Sequence, residues 1–375
     1  MEWSFWERDL FRKQYDVLII GGGFSGLATA YYLAKDNPRL SICIIEKQVL
    51  QRKASTRNAG MACISSLSEL LNDVQQEGWD SILSLVEKRW KGLELMRKLF
   101  PADEIHYRDV PAGELFFEGQ KYKAGDYIPR MEEANEHLKS IVGKDYFTSA
   151  PAFFPSHSSA QFVKHKWEGQ LHPARLCQAW MKKCRGLGID ILEGLECLSS
   201  ESTDSGFEVR TTGPVFLADQ LLWATNGALS SVYPERDVKP VQNHVWVFPE
   251  QVPLSWEGNI HAESGYIYAR SIGKKLLIGG ARHQQQHQGK DLTDGGEEIY
   301  AYLVDFARKY LWENGGPKNL QPETHWTGFL GVGDQKEPIM DEIQAGEFIL
   351  ARLSGMGVAL STYLGREMAK RISRS

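Results

Sequence analysis

Three glycines and one carboxylate carry the clearest chemistry in this chain. Gly21-x-Gly23-x-x-Gly26, with Phe24 and Ser25 inside the turn, follows the apolar run Val17-Leu-Ile-Ile20. It opens onto a helical stripe of Leu27, Ala30, Tyr31 and Ala34. In that order the first glycine permits a tight turn, the second lets backbone approach a pyrophosphate, and the third lets strand and helix pack closely. The helix N-terminus then faces the phosphates. Leu40-Ser-Ile-Cys-Ile-Ile45 reads as a second buried strand ending in Glu46, twenty residues beyond Gly26 and just before Lys47. A carboxylate there accepts a ribose hydroxyl and disfavours a 2′-phosphate. A bare glycine pattern can be an ordinary turn, but strand, turn, amphipathic helix, strand and acid in register make this a dinucleotide grip.

Three further polar segments fall just past strands that could join the same sheet: Ser55-Thr56-Arg57-Asn58-Ala59-Gly60-Met61, Ala224-Thr225-Asn226-Gly227, and Ser354-Gly355-Met356-Gly357-Val358. Ligands of such sheets lie at the carboxyl ends of the strands. Neither Gly328 to Gly333 nor Gly355 to Gly357 repeats the fingerprint order, so one dinucleotide is held. It is either a nicotinamide exchanged at every turnover or a flavin that stays. A nicotinamide domain is usually contiguous, whereas here the matching pieces come from both ends of the chain, which favours the flavin.

The elements that must position these groups are legible in outline. Helical periodicity runs from about Leu67 to Phe100, striped by Ile82, Leu85, Val86, Trp90, Leu93 and Met96 and stopped by Pro101. A strand at Gly113 to Phe117 precedes a helix at Met131 to Val142 and a Pro, Ser and His-rich loop to about Ser159. A second helix starts at Pro173, and strands follow at Ile189 to Leu192, Phe207 to Thr211 and Val215 to Thr225. Between Val238 and Gly280 alternation predicts an antiparallel sheet, then come a helix from Glu297 to Trp312, a Gly-rich stretch from Trp326 to Gly333, a strand at Phe348 to Arg352 and a last helix to Ile372. The aromatic leader, with Trp3, Phe5, Trp6 and Phe11, is expected to pack on the surface of the first domain.

Composition narrows the class. With 375 residues, 42% hydrophobic, the chain is long enough for two globular domains. A net charge of −5 gives no electrostatic reason to expect nucleic acid. The uncharged run from Val17 to Ala34 contains three consecutive glycines and is accounted for as strand, turn and helix, so neither a signal peptide nor a membrane anchor is expected. Five cysteines without CxxC spacing suit reduced thiols in the cytoplasm and suggest no metal site.

Taken together and in order, several motifs resemble the D-amino acid oxidase superfamily of FAD-dependent amine oxidoreductases. They are the fingerprint with Glu46, Ser55 to Gly60, His172-Pro173, Ala224 to Gly227, Tyr268-x-Arg270 with Leu277-Ile-Gly-Gly280, Trp326-Thr-Gly328, and Gly355-Met-Gly357. The likeness is to the branch containing glycine oxidase, sarcosine oxidase and γ-glutamylputrescine oxidase, and it spans nearly the whole chain. It implies an α/β fold: a Rossmann-like, glutathione-reductase-like FAD domain from 15–85, 155–235 and 325–375, with an inserted antiparallel-sheet substrate domain of that superfamily's type from 86–154 and 236–324.

The same resemblance implies roles. The Ser55 to Met61 loop would follow the pyrophosphate and flavin ring, with Ser55 and Asn58 offering hydrogen bonds. The helix N-terminus at Gly355 to Val358 would point at flavin N1 and O2, where reduction leaves negative charge that a helix dipole stabilises by roughly 0.3 to 2 kcal/mol. A small amine, an amino acid or N-substituted glycine, would be oxidised by hydride transfer to flavin N5, giving an imine that water hydrolyses. O2 or another acceptor would take the electrons. Arg270 and Tyr268, two apart on one strand, suit a clamp for a substrate carboxylate. Arg57, Arg282 and His283 are further candidates, and His244 with Trp246 could line the pocket. The chain has no Cys after Cys197, where covalent relatives attach flavin, so FAD is expected to be noncovalent, barring a His linkage. Leu277 stands where the sarcosine oxidase type carries an oxygen-activating Lys. Two other readings stay open: a 2-hydroxy acid dehydrogenase taking its base from His244, His283 or His325, and a flavin-binding subunit without turnover.

Overall fold

Val17, Leu18 and Ile19 have no exposed surface, which a strand achieves only with its sheet covered on both faces. They belong to β1 (Gln14–Ile20), which runs parallel to β2 (Ile42–Glu46) and leads through the glycine turn into α1 (Phe24–Asp36). The computed structural model describes residues 4–6, 14–49, 53–154, 160–250, 254–284, 296–316 and 321–374. Around β1 and β2 the parallel sheet continues on one side to β9 (Asp190–Glu193) and on the other to β12 (Val215–Trp223) and β19 (Glu347–Ala351). Antiparallel strands β10 (Cys197–Thr203), β11 (Gly206–Thr211) and β18 (Ile339–Gln344) extend it.

The second sheet has the order β17 (Thr324–Val332), β13 (Lys239–Phe248), β16 (Lys275–Gly280), β15 (Ile267–Ile272), β14 (Asn259–Ala262), β5 (Ala112–Phe116), β7 (Gln161–His165), β6 (Phe147–Ser149). Every pairing in it is antiparallel except β14 with β5. A small sheet of β3 (Met61–Ala62), β8 (Gly169–Gln170) and β4 (Arg108–Asp109) completes the strands described.

The helices are α2 (Leu67–Glu77), α3 (Trp79–Leu99), α4 (Ala124–Tyr127), α5 (Met131–Val142), α6 (Pro173–Gly186), α7 (Gly296–Tyr310) and α8 (Gly357–Ile372). One core cluster joins the covering helices α1, α3, α6 and α8 to the parallel sheet, and another lies between the second sheet and α7.

The sequence reading departs from this fold in several places, among them the unforeseen strands β6 and β18. The periodic stretch expected to run unbroken to Phe100 is two helices, because Gly78 takes φ +80° and turns the chain between them. The Gly-rich stretch from Trp326 is strand β17, paired with β13 across nine positions, so it joins the antiparallel sheet, as does β7 within 155–235. Strand β10 was not foreseen; its sequence CLSSEST lacks the apolar alternation that marks a half-buried strand. Phe5 and Trp6 are 72% and 76% exposed, their rings edge to face at 5.1 Å, rather than packed on the first sheet; Trp3 and Phe11 lie outside the described residues, as do Arg52 and residues 155–159 of the two expected loops. Among the described residues no helix is long and apolar enough to cross a membrane.

Candidate active site

All five parallel strands end at one cleft of about 620 Å³, within the size range of cofactor sites. Gly21, Gly23, Phe24 and Ser25 line it after β1, Glu46 and Lys47 after β2, and Ala224 to Gly227 after β12. Gly355, Gly357 and Val358 enter from the start of α8, and Ser55, Arg57, Asn58 and Gly328 close the other wall. Gly26 lies beneath the turn: a Cβ there would sit 2.0 Å from the Gly21 carbonyl oxygen, so only glycine allows this approach of strand and helix. Thr56, Ala59, Gly60, Met61, Trp326 and Met356 are neighbours of these lining residues in the chain.

Glu46 is buried and already accepts two backbone N–H bonds, from Gly22 at 3.0 Å and Gln48 at 2.8 Å. Its carboxylate is thereby fixed at the end of β2, where a ribose would lie. Ser55 Oγ accepts from the Phe24 N–H at 2.9 Å and so ties its loop to the first turn of α1. Asn58, expected to offer hydrogen bonds to a ligand, lines the cleft, but its Nδ2 donates to Ser55 O at 2.8 Å and its Oδ1 accepts from Gly60 N at 2.9 Å. It braces the loop.

Arg57 is turned toward the second sheet. Its Nη1 donates to Thr327 O at 2.7 Å, and Trp326 Nε1 donates back to Arg57 O at 2.9 Å. Arg270 likewise departs from the expected free fork. It is buried, and its Nη1 donates to Ala59 O, Gly60 O and Leu171 O at 2.8, 2.9 and 3.0 Å. Burial lowers its pKa to about 10, with Arg108 adding repulsion. A carbonyl withdrawn from water needs a donor, and the Arg270 guanidinium supplies one to the loop and to Leu171. Tyr268 shares the Arg270 face of β15 and accepts at its hydroxyl from Asn243 Nδ2 at 2.7 Å, while burial raises its pKa to about 12.

The strand period sorts the remaining candidates. Val245, Val247 and Leu277 form an apolar patch with Ala59, Tyr268 and Trp326 on the face toward the loop. His244 and Trp246 alternate onto the opposite face, where both rings stack with His325 at 5.4 and 4.5 Å and Trp246 meets Tyr300 of α7. His244 therefore belongs to an aromatic core layer and is separated by the sheet from the candidates on β15. His283 Nε2 contacts the Glu263 carboxylate, and the Arg282 guanidinium lies 4.7 Å from the ring centre of Tyr266.

Two features escaped the sequence reading. Glu168 is buried between His165, at 2.8 Å from its Oε1, and His261, at 3.0 Å from its Oε2. Burial alone would raise its pKa, but the His261 charge and hydrogen bonds from both imidazoles hold it down at about 2. His165 and Glu168 lie three residues apart, but His261 is 93 residues from Glu168, so no local motif marks the cluster. Ligand atoms of Cys63, Glu168 and His261 also lie within 4.8 Å of one another, although no CxxC spacing marks a metal site. The second feature is Lys53, whose ammonium lies in the cleft 3.7 Å from Glu46 Oε2.

The residues present fit a dinucleotide. The glycine turn excludes side chains where phosphate would approach, and the buried Lys53 Nζ, Ser25 Oγ and Thr225 Oγ1 have no hydrogen-bond partner among the described residues. Comparison with known proteins agrees. A glycine oxidase from Bacillus licheniformis is 24% identical over 96% of this chain and 94% of its own length. The probable oxidoreductase OrdL of Rhizobium meliloti (strain 1021) is 21% identical over 96% of this chain and 83% of its own. The crystal structure of glycine oxidase from Bacillus cereus ATCC 14579 superposes with a TM-score of 0.69 at 20% identity, covering 96% of this chain and 95% of that one, and shares its fold. Residues 16–371 match the DAO family of FAD dependent oxidoreductases, and the chain belongs to that family of flavoenzymes.

Proposed function

We propose that this chain binds FAD noncovalently and oxidises the C–N bond of a small amine, an amino acid or N-substituted glycine, to an imine that water hydrolyses. The observation that carries this reading is the position of the apolar patch on the second sheet. Val245, Val247, Leu277, Tyr268 and Trp326 face the same loop, Arg57 to Gly60, that runs out of the dinucleotide cleft. FAD bound along that loop supplies the acceptor for a hydride and its electron pair, which pass on to O2 or another acceptor.

The chain's own residues supply the setting. The apolar patch excludes water from the reacting carbon, and Arg57 with Trp326 fixes the loop against β17 so that the wall does not move. The first amides of α8 enter the cleft with the positive end of the helix dipole, favouring charge that develops there. A neutral amine with an aligned C–H needs no strong base. A 2-hydroxy acid does need one, and His244 and His325 are poorly disposed because they stack on the far face of the sheet. That arrangement favours the amine.

The purified protein should be yellow, and anaerobic mixing with a panel of amino acids, N-substituted glycines and 2-hydroxy acids should bleach it only with amines. Colour without bleaching by any amine would leave a flavin-binding subunit. Bleaching by hydroxy acids alone would transfer the assignment to alcohol oxidation.

A further inference from the structure

We infer that Lys53 is a ligand for the ribose–pyrophosphate half of the dinucleotide, so that this side chain sets preference for FAD over flavins lacking that half. The inference rests on the FAD reading above and adds a residue that the glycine fingerprint does not include.

The Lys53 side chain is only 9% exposed, yet its Nζ has no hydrogen-bond partner among the described residues. A buried ammonium without acceptors is costly, since its hydration shell has been removed and nothing replaces it. Glu46 lies nearby, but at 3.7 Å the contact is too long for a hydrogen bond, and the Glu46 carboxylate is held in place by the amides of Gly22 and Gln48. The ammonium also sits directly over the fingerprint turn: a Cβ on Gly22 would lie 3.1 Å from Nζ. It therefore occupies the stretch between the acid at the end of β2 and the start of α1, where the ribose meets the phosphates.

Charge explains why a cation is wanted there. Glu46 is a buried anion at the edge of a site that must receive a dianionic pyrophosphate, and the helix N-terminus supplies only partial positive charge. The neighbouring cations are engaged elsewhere: Lys47 pairs with Glu196 at 2.8 Å on the exposed rim, and Arg57 donates to Thr327 O. Lys53 offsets Glu46 and gives phosphate or ribose oxygens up to three donors. Its position seven residues beyond Glu46, in an irregular polar loop, carries no sequence signature.

The test measures dissociation constants of FAD, ADP and FMN for deflavinated wild-type protein, Lys53→Met and Lys53→Arg, at about 0.05 and 0.5 M salt. Lys53→Met should weaken FAD and ADP by about 10- to 100-fold, leave FMN unchanged, and flatten the salt dependence, while Lys53→Arg recovers most of the affinity. Unchanged FAD and ADP binding in Lys53→Met would overturn the inference and leave Lys53 as a neighbour of Glu46. Equal weakening of FMN, or a lower unfolding midpoint of the apoprotein, would overturn it as general damage to the site. Failure of the wild type itself to bind FAD would instead overturn the underlying FAD reading.

Discussion

Arg270 ties the second sheet to the loop at Gly60. From β15 the Arg270 Nη1 donates to Gly60 O at 2.9 Å, in the loop that leaves the dinucleotide cleft, and the same nitrogen reaches Ala59 O and Leu171 O. A residue whose type and spacing suggest a substrate clamp is engaged in holding the loop to the sheet.

Arg270→Met should therefore act first on stability. It removes a donor shared by three carbonyls, of which Gly60 O keeps its bond from the Leu171 N–H, and should cost about 2 kcal/mol in urea denaturation, with FAD retention falling in parallel. A variant of unchanged stability that instead raises KM for a carboxylate substrate would restore the clamp.

The Glu168 cluster predicts a pH profile of stability with two flanks. The Glu168 carboxyl is held down at about 2 in the folded state, so its contribution is present above its unfolded value of 4.5 and disappears as pH falls toward 2. His261 is opposed by burial but raised by the Glu168 carboxylate, so its contribution is full below its unfolded value of 6.5 and is lost as pH rises through the higher folded value. Denaturation midpoints should peak between these limits, and Glu168→Gln should flatten both flanks. An acid flank of undiminished steepness in that variant would show that the flank belongs to other carboxylates.

Gly92 of α3 meets α8 so closely that a Cβ would lie 1.8 Å from Ala359 O. At an exposed helical site glycine to alanine gains about 1 kcal/mol. Here overpacking reverses the sign: Gly92→Ala should lose about 2 kcal/mol in chemical denaturation and weaken FAD by displacing the start of α8 from the cleft. A stabilised variant would show that the helices have room to separate.

Acid precipitation should release all flavin to the supernatant, and none should migrate with the chain on a denaturing gel. Cys197 is the one cysteine among the residues described as lining the cleft, and burial beside Glu196 raises its thiol to about 11, leaving it protonated and a poor nucleophile. Cys197→Ser should retain FAD equally well. Fluorescence that stays with the chain would reveal a covalent bond.

How much was legible follows from the range of each signal. The turn at Gly21 to Gly26, Glu46 and the start of α6 at Pro173 are local patterns of residues a few positions apart, and the fold keeps them as read. The face of β13 was half legible: period two correctly put His244 beside Trp246, but sequence does not say which face α7 covers. Strand β17 was hidden by its glycines, which lower strand propensity although nine cross-strand pairings hold it. The Arg270 bonds and the His165–Glu168–His261 cluster join segments up to 211 residues apart, and Lys53 is notable only for what its ammonium lacks.

The parallel sheet has a consequence for biosynthesis. Its neighbours β1, β12 and β19 are drawn from residues 14 to 351, and the helix that completes the cleft follows at 357. On the ribosome, strands made early must wait for the segment made late, so the cleft is complete only once the start of α8 has been synthesised. A nonsense codon before Glu347 would then yield a colourless product however much of the antiparallel half had formed.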